Sequence, residues 1–271
     1  VNVGDRMKNI GVKTKDTINE NINHSDNVSP EQYASDKVTE AMKSGTETIS
    51  VGTEKAVRKG TKKAIEKAGL YIAQRKDLDR LAEVAADAYQ DYPLHNWFTK
   101  GKYDTKASKL LMQISLKTMT EDAVIYADSE EINGFAAWLP FGFTGNKALP
   151  FLMNGGLSLF LHAGFGMVGR LQTYENYAMN LKKEFTDHYD WYLFNLSIKK
   201  DAQGKGLASK LMHPMLQFCD DERMVAYLET NKESNVGLYR HYGFDLMREE
   251  LIPKTPVTHY AMVRKPDQTN E

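Results

Sequence analysis

After residue 70 the spacing of apolar positions changes repeatedly, and each change marks an element. Leu70 to Ala73 reads as a short strand, and Leu78, Leu81, Val84, Ala85 and Ala88 follow at helical spacing. Pro93 disfavours helical geometry at Tyr92, so that helix is expected to end near Tyr89–Pro93. Leu110, Leu111, Ile114, Leu116 and Met119 predict a second helix. Ala123–Ala127 and Gly134–Leu139 read as two strands of a hairpin joined by the acidic segment 128–133. Trp191, Leu193, Leu196 and Ile198 predict the strongest strand, which ends over Lys199–Ala202, and Leu207, Leu211, Met215 and Phe218 return to a helical period. A strand at Met224–Glu229, a helix at Glu233–Tyr242 and strands at Phe244–Ile252 and Val257–Val263 complete the series. Pro253 and Pro256 bracket the last turn.

Two stretches stand outside this alternation. Between Ala148 and Gly169 there is no Asp, Glu, Lys or Arg, which raises a membrane span. Pro150, Asn154, His162 and five glycines set against it a pair of short helices, buried or lining a pocket, followed by a more polar helix over Leu171–Phe185. Residues 1–69 have Tyr33 as their only aromatic residue and read as a polar, partly helical or disordered extension, with helices expected over 29–42 and 53–67. Lys55, Arg58, Lys59, Lys62, Lys63 and Lys67 make its end basic; a solvated helix face and a nucleic-acid contact are the two readings.

The chain has 271 residues, enough for one sizeable core plus an appendage, and its net charge of −1 speaks against an obligate nucleic-acid surface. Cys219 is its only cysteine, which leaves no disulfide within the chain and no cysteine-built zinc site. The scattered histidines show no ligand spacing, so no metal is expected. No charged segment leading into an apolar one opens the sequence, and a cytoplasmic enzyme without a membrane partner is the expectation, as a monomer or homodimer.

Candidate chemistry lies where the strongest strand meets its helix. A helix start presents unpaired N–H groups and the positive end of the helix dipole, and Gly204 and Gly206 would let a diphosphate approach the backbone. Taken alone, the two glycines also suit a tight strand-to-helix turn. Gln203-Gly204-Lys205-Gly206-Leu207-Ala208, however, resembles the Q/R-x-x-G-x-G/A signature of the GNAT acetyltransferase superfamily. Asn235 to Phe244 is similar to that superfamily's N-x-x-x-Y-x-x-x-G-F segment. Ala88–Pro93, Leu228-Glu229-Thr230, Tyr239–Phe244 and Met262–Pro266 further resemble stretches of the puromycin N-acetyltransferases, which acetylate an amine of an aminonucleoside antibiotic.

The resemblance implies an α+β (mixed α/β) GNAT fold over residues 70–266, with a central twisted, mostly antiparallel sheet flanked by helices and a polar tail over 267–271. It also implies acetyl-coenzyme A (acetyl-CoA) as co-substrate and a small-molecule amine as acceptor. The backbone of Gln203, Gly204, Lys205, Gly206, Leu207, Ala208 and Ser209 would hold the diphosphate, and the backbone of Leu196 and Ile198 would pair with the pantetheine arm. Asn235 would position that arm. Tyr239 is the candidate acid for the departing thiolate, with simple packing as the other reading of its side chain. Glu229, then Tyr92, are candidates for taking the proton of the acceptor ammonium; a strand-end salt bridge is the other reading of Glu229. A protein or peptide amine acetyltransferase and a non-catalytic acetyl-CoA- or nucleic-acid-binding module of the same fold are the alternative functions.

Overall fold

The computed structural model describes residues 51–140, 148–185 and 191–267, so the helix expected over 29–42 lies outside the described residues. In chain order the elements are α1 (Val51–Lys67), β1 (Tyr71–Ile72), α2 (Leu78–Ala88), α3 (Pro93–Phe98), α4 (Thr105–Met119), β2 (Val124–Ala127), β3 (Gly134–Leu139), α5 (Ala148–Phe151), α6 (Leu157–Phe185), β4 (Trp191–Ile198), α7 (Leu207–Asp221), β5 (Ala226–Thr230), α8 (Glu233–His241), β6 (Asp245–Leu251) and β7 (Thr258–Arg264). The chain divides into two compact units, Val1–Gly60 and Thr61–Glu271. The larger one begins within α1, upstream of the expected start at Leu70, and Ile65 in that last part of the helix is fully buried.

The larger unit is built on one seven-stranded sheet in the order β1-β2-β3-β4-β5-β7-β6. Every neighbouring pair is antiparallel except β4 and β5. Strands β2 and β3 are buried at every residue, because helices cover both of their faces. On one face Leu81, Val84 and Ala85 of α2 and Met112 and Leu116 of α4 pack over Ile125, Phe135, Ala137 and Leu139. On the other, the Tyr126 hydroxyl donates to the Leu211 carbonyl of α7 and accepts from Trp138 Nε1, at 2.7 and 3.0 Å. Leu211, Met212, Met215 and Cys219, the inward positions of α7, are completely buried, so the lone thiol lies in the core.

Strand β4 departs from regular pairing in two places. Ala137 pairs with Asn195 but Trp138 with Leu193, so Phe194 is an extra residue that bulges the strand. The bulge puts Tyr192 and Asn195 on the same face of the sheet, where unbroken alternation would separate them. Beside it, β4 and β5 pair only at Trp191–Ala226, Tyr192–Tyr227 and Leu193–Leu228. Past that point Phe194–Ile198 and Glu229–Thr230 have no ladder between them, and the sheet opens into a notch.

The uncharged stretch differs from expectation. It forms α5, a wide turn over Leu152–Gly156 with a break at Gly155, and the first half of α6, which runs on through the polar half as one element with a break at Gly164. Leu159 and Met167 are buried, and Phe151 and Ala163 pack against the same cluster. Leu149, Met153, Leu157, Leu161 and Phe165, in contrast, are all more than half exposed. The stretch is apolar all round, and the body of the protein covers only one side of it.

Candidate active site

The loop expected to cradle a diphosphate is an open helix start. A tight turn of helix at Lys200–Ala202 ends β4, and Gly204 and Gly206 then take left-handed backbone angles, φ 73° and 79°. Gly206 caps α7 with no side chain to satisfy the helix start, and the first bond back to it is Lys210 N–H to Gly206 O at 3.1 Å. The N–H groups of Leu207, Ala208 and Ser209 therefore have no acceptor within the helix. A Cβ built on Gly204 or Gly206 would meet nothing within 4 Å, so the space in front of both is open.

The polar side chains of the loop brace it. Gln203 Nε2 donates to the Ile198 carbonyl at 3.0 Å, Lys205 Nζ to the Asp201 carbonyl at 2.7 Å, and the Ser209 hydroxyl meets that of Tyr242 at 3.0 Å. What faces outward for an anion is backbone. On β4, Leu196 and Ile198 lie where the strand has lost its neighbour, although the Ile198 carbonyl is already taken by Gln203.

Across the notch, Thr230 at the end of β5 gathers the other candidates. Tyr92, just ahead of α3, meets the Thr230 hydroxyl at 3.0 Å, and its own oxygen accepts from Asn231 N–H at 2.8 Å. Asn235 donates to the same threonine at 3.1 Å. The Tyr92 hydroxyl is thus occupied on both sides, an arrangement suited to holding the end of β5 and ill suited to proton traffic. Tyr239 lies one turn beyond Asn235 in α8 and is buried, and its hydroxyl has no hydrogen-bond partner among the described residues. Burial, then the nearby Tyr92, Tyr89 and Tyr242, push its pKa up, so the phenol keeps its proton at neutral pH.

Glu229 points to the opposite face, under the second half of α6. Its side chain is only 4% exposed and sits in a cage of tyrosines: Tyr227 donates to Oε1 at 2.8 Å, and Tyr174 and Tyr192 approach Oε2 at 3.4 Å. Burial raises its pKa to about 7 against the opposing pull of the Tyr227 hydroxyl and Lys182. His259 Nε2 lies 4.0 Å from Glu229 Oε1 and has no hydrogen-bond partner among the described residues. Asn231 Nδ2 approaches His259 Nδ1 at 3.4 Å, which assigns the ring proton to Nε2, facing the carboxylate. Burial holds this imidazole neutral, with a pKa lowered to about 4.

Sequence reasoning named the cradle, Tyr239 and Glu229, and missed Tyr174, Tyr192, Tyr227 and His259. These come from α6, β4, β5 and β7, and nothing in local spacing joins them. One signal was available: Tyr227 and Glu229 are two apart on a strand and therefore share a face.

Fold and notch together define a mixed sheet that opens beside a helix N-terminus. Residues 83–244, more than half of the chain, match the model of the Acetyltransferase (GNAT) family, and the chain belongs to that family. The family's co-substrate is acetyl-CoA. An uncharacterised N-acetyltransferase of Schizosaccharomyces pombe is 33% identical over 87 residues, which span 31% of this chain and 35% of the relative. Among solved structures, a protein of Corynebacterium glutamicum described as histone acetyltransferase HPA2 and related acetyltransferase superposes with a TM-score of 0.51 at 20% identity, covering 74% of this chain and 98% of that one. The C-terminal condensation domain of Ebony superposes with a TM-score of 0.53 at 6% identity, covering 72% and 97%. At these identities both likenesses concern the fold.

Proposed function

We propose that the chain is an N-acetyltransferase that moves the acetyl group of acetyl-CoA directly to a primary amine of a small molecule. The observation that carries this is the notch: the open helix start follows one of its strands, Glu229 lies near the end of the other, and Tyr239 is in the helix that follows that strand. In the reaction the amine nitrogen forms a bond to the acetyl carbon and the carbon–sulfur bond breaks. The ammonium proton goes to Glu229 through the Tyr174 or Tyr192 hydroxyl that covers it, the thiolate takes the proton of Tyr239, and the second proton that the nitrogen sheds on becoming an amide restores the phenol. Backbone N–H groups from Gln203 to Ser209 hold the diphosphate, and the free edge of β4 at Leu196 takes the pantetheine. Asn235 keeps α8 tied to the strand end.

An aminonucleoside antibiotic is the particular acceptor that the sequence resemblance puts forward. Acetyl-CoA incubated with a panel of primary amines, puromycin among them, should release free thiol and add one acetyl group to an amine of at least one member, read by mass spectrometry. Thiol release with none of them, or with water alone as acceptor, would overturn the reading.

A further inference from the structure

The exposed face of α5 and α6 has no counterpart in the transfer reaction. Leu149, Met153, Leu157, Leu161 and Phe165 follow one another every four residues at 67%, 78%, 57%, 74% and 81% exposure. Exposed apolar residues on soluble proteins are normally scattered, and a contiguous series of large ones marks a contact surface. Leu149–Phe185 is also apolar and long enough to cross a bilayer by length and composition. The breaks at Gly155 (φ 120°) and Gly164 (φ 76°) make it a bent element, with one side already packed on the protein, so it lies against a surface and does not span.

The charges around this face select the surface. No acid or base occurs between Ala148 and Gly169, and the elements next to it are basic: residues 93–119 contain five lysines and one acid, Asp104. Asp104 is held at the start of α4, accepting from Ala107 N–H at 2.9 Å and meeting His162 Nε2 at 3.1 Å. Lys100 reaches Gly166, its Cε 3.7 Å from the place of a Cβ there, and Lys117 and Arg75 share a depression with Met153. Arg75 meets Glu121 at 3.4 Å, and Lys109 turns the other way, to Asp79 and Glu83. A second copy of the chain meeting this face across a two-fold axis would bring like charges together. An anionic lipid surface instead receives the apolar ridge among its acyl chains and the ammonium groups among its headgroups.

We propose that α5 and the first half of α6 dock the protein on anionic membrane surfaces. The full chain should co-sediment with vesicles of phosphatidylcholine and phosphatidylserine about tenfold more strongly than with phosphatidylcholine alone, since lysines close to an anionic leaflet are attracted to it. Leu157→Asp with Phe165→Asp should abolish co-sedimentation without lowering the melting midpoint, because both side chains already face solvent. Lys100→Glu with Lys117→Glu should remove the preference for the anionic vesicles. Failure to bind, equal binding to both vesicles, or retention of binding by the double Asp variant would overturn the proposal. So would a dimer in gel filtration that the double Asp variant dissociates, which assigns the face to a second copy.

Discussion

Glu229 keeps its proton to about pH 7 because its tyrosine cage removes it from water, and this affects turnover and stability in opposite directions. As a base it acts only when ionised, so turnover should rise with pH and level off above about 7. In stability, the folded pKa is raised above that of the unfolded chain. The stabilising effect is present at low pH and is lost as pH rises from the usual carboxylate range through about 7. Glu229→Gln keeps the amide-sized group and removes the ionisation. It should lower kcat by about 10²- to 10⁴-fold. At pH 8 it should also stabilise the fold by about 3 kcal/mol relative to its effect at pH 5, read from urea unfolding at the two pH values. Equal effects at both pH values would mean that Glu229 is not held neutral. Tyr239→Phe probes the other end of the reaction. It keeps the packing against Phe244, so acetyl-CoA affinity should hold while the single-turnover rate falls by about 10²- to 10⁴-fold. Both residues were legible in the sequence because they sit in short motifs. The cage was not, since its members meet only when four elements assemble.

At the scale of elements, local signals worked where one period held. Both ends of β3 and β4 fall where the alternation of their residues put them, and α2 ends short of Pro93 as its ring requires. Pro93 also starts a helix, α3, which was missed because six residues are too few to show a period; proline suits the first helical position, where no N–H is needed. The first half of α6 failed for another reason. Its residues are apolar on every side, and hydrophobicity alone does not say which of two apolar ridges the body will cover. In the cradle, Gly206→Val should weaken acetyl-CoA binding at least about tenfold by calorimetry. Left-handed backbone costs a branched residue about 1–2 kcal/mol, and the side chain would stand in the open space in front of the amides. Unchanged affinity would place the diphosphate elsewhere.

For the whole molecule, composition starts the domain with a core at Leu70, and the larger compact unit starts at Thr61. Ile65 lies near the end of a lysine-rich helix and is completely buried. Deleting residues 1–50 should shift the melting midpoint by less than about 3 °C, the change that 1 kcal/mol makes in a domain of this size. Extending the deletion through Lys67 removes Ile65 and should lower it by several degrees more; equal midpoints for the two truncations would contradict its place in the core.

Cys219 has a practical consequence. As the chain's only thiol, completely buried on the inner side of α7, it is closed to thiol reagents while the protein stays folded. A colorimetric reagent added during turnover would therefore report the coenzyme thiol with no background from the enzyme. On heating, the same reagent would register unfolding as a single equivalent of newly reactive sulfur, so one dye would measure both quantities.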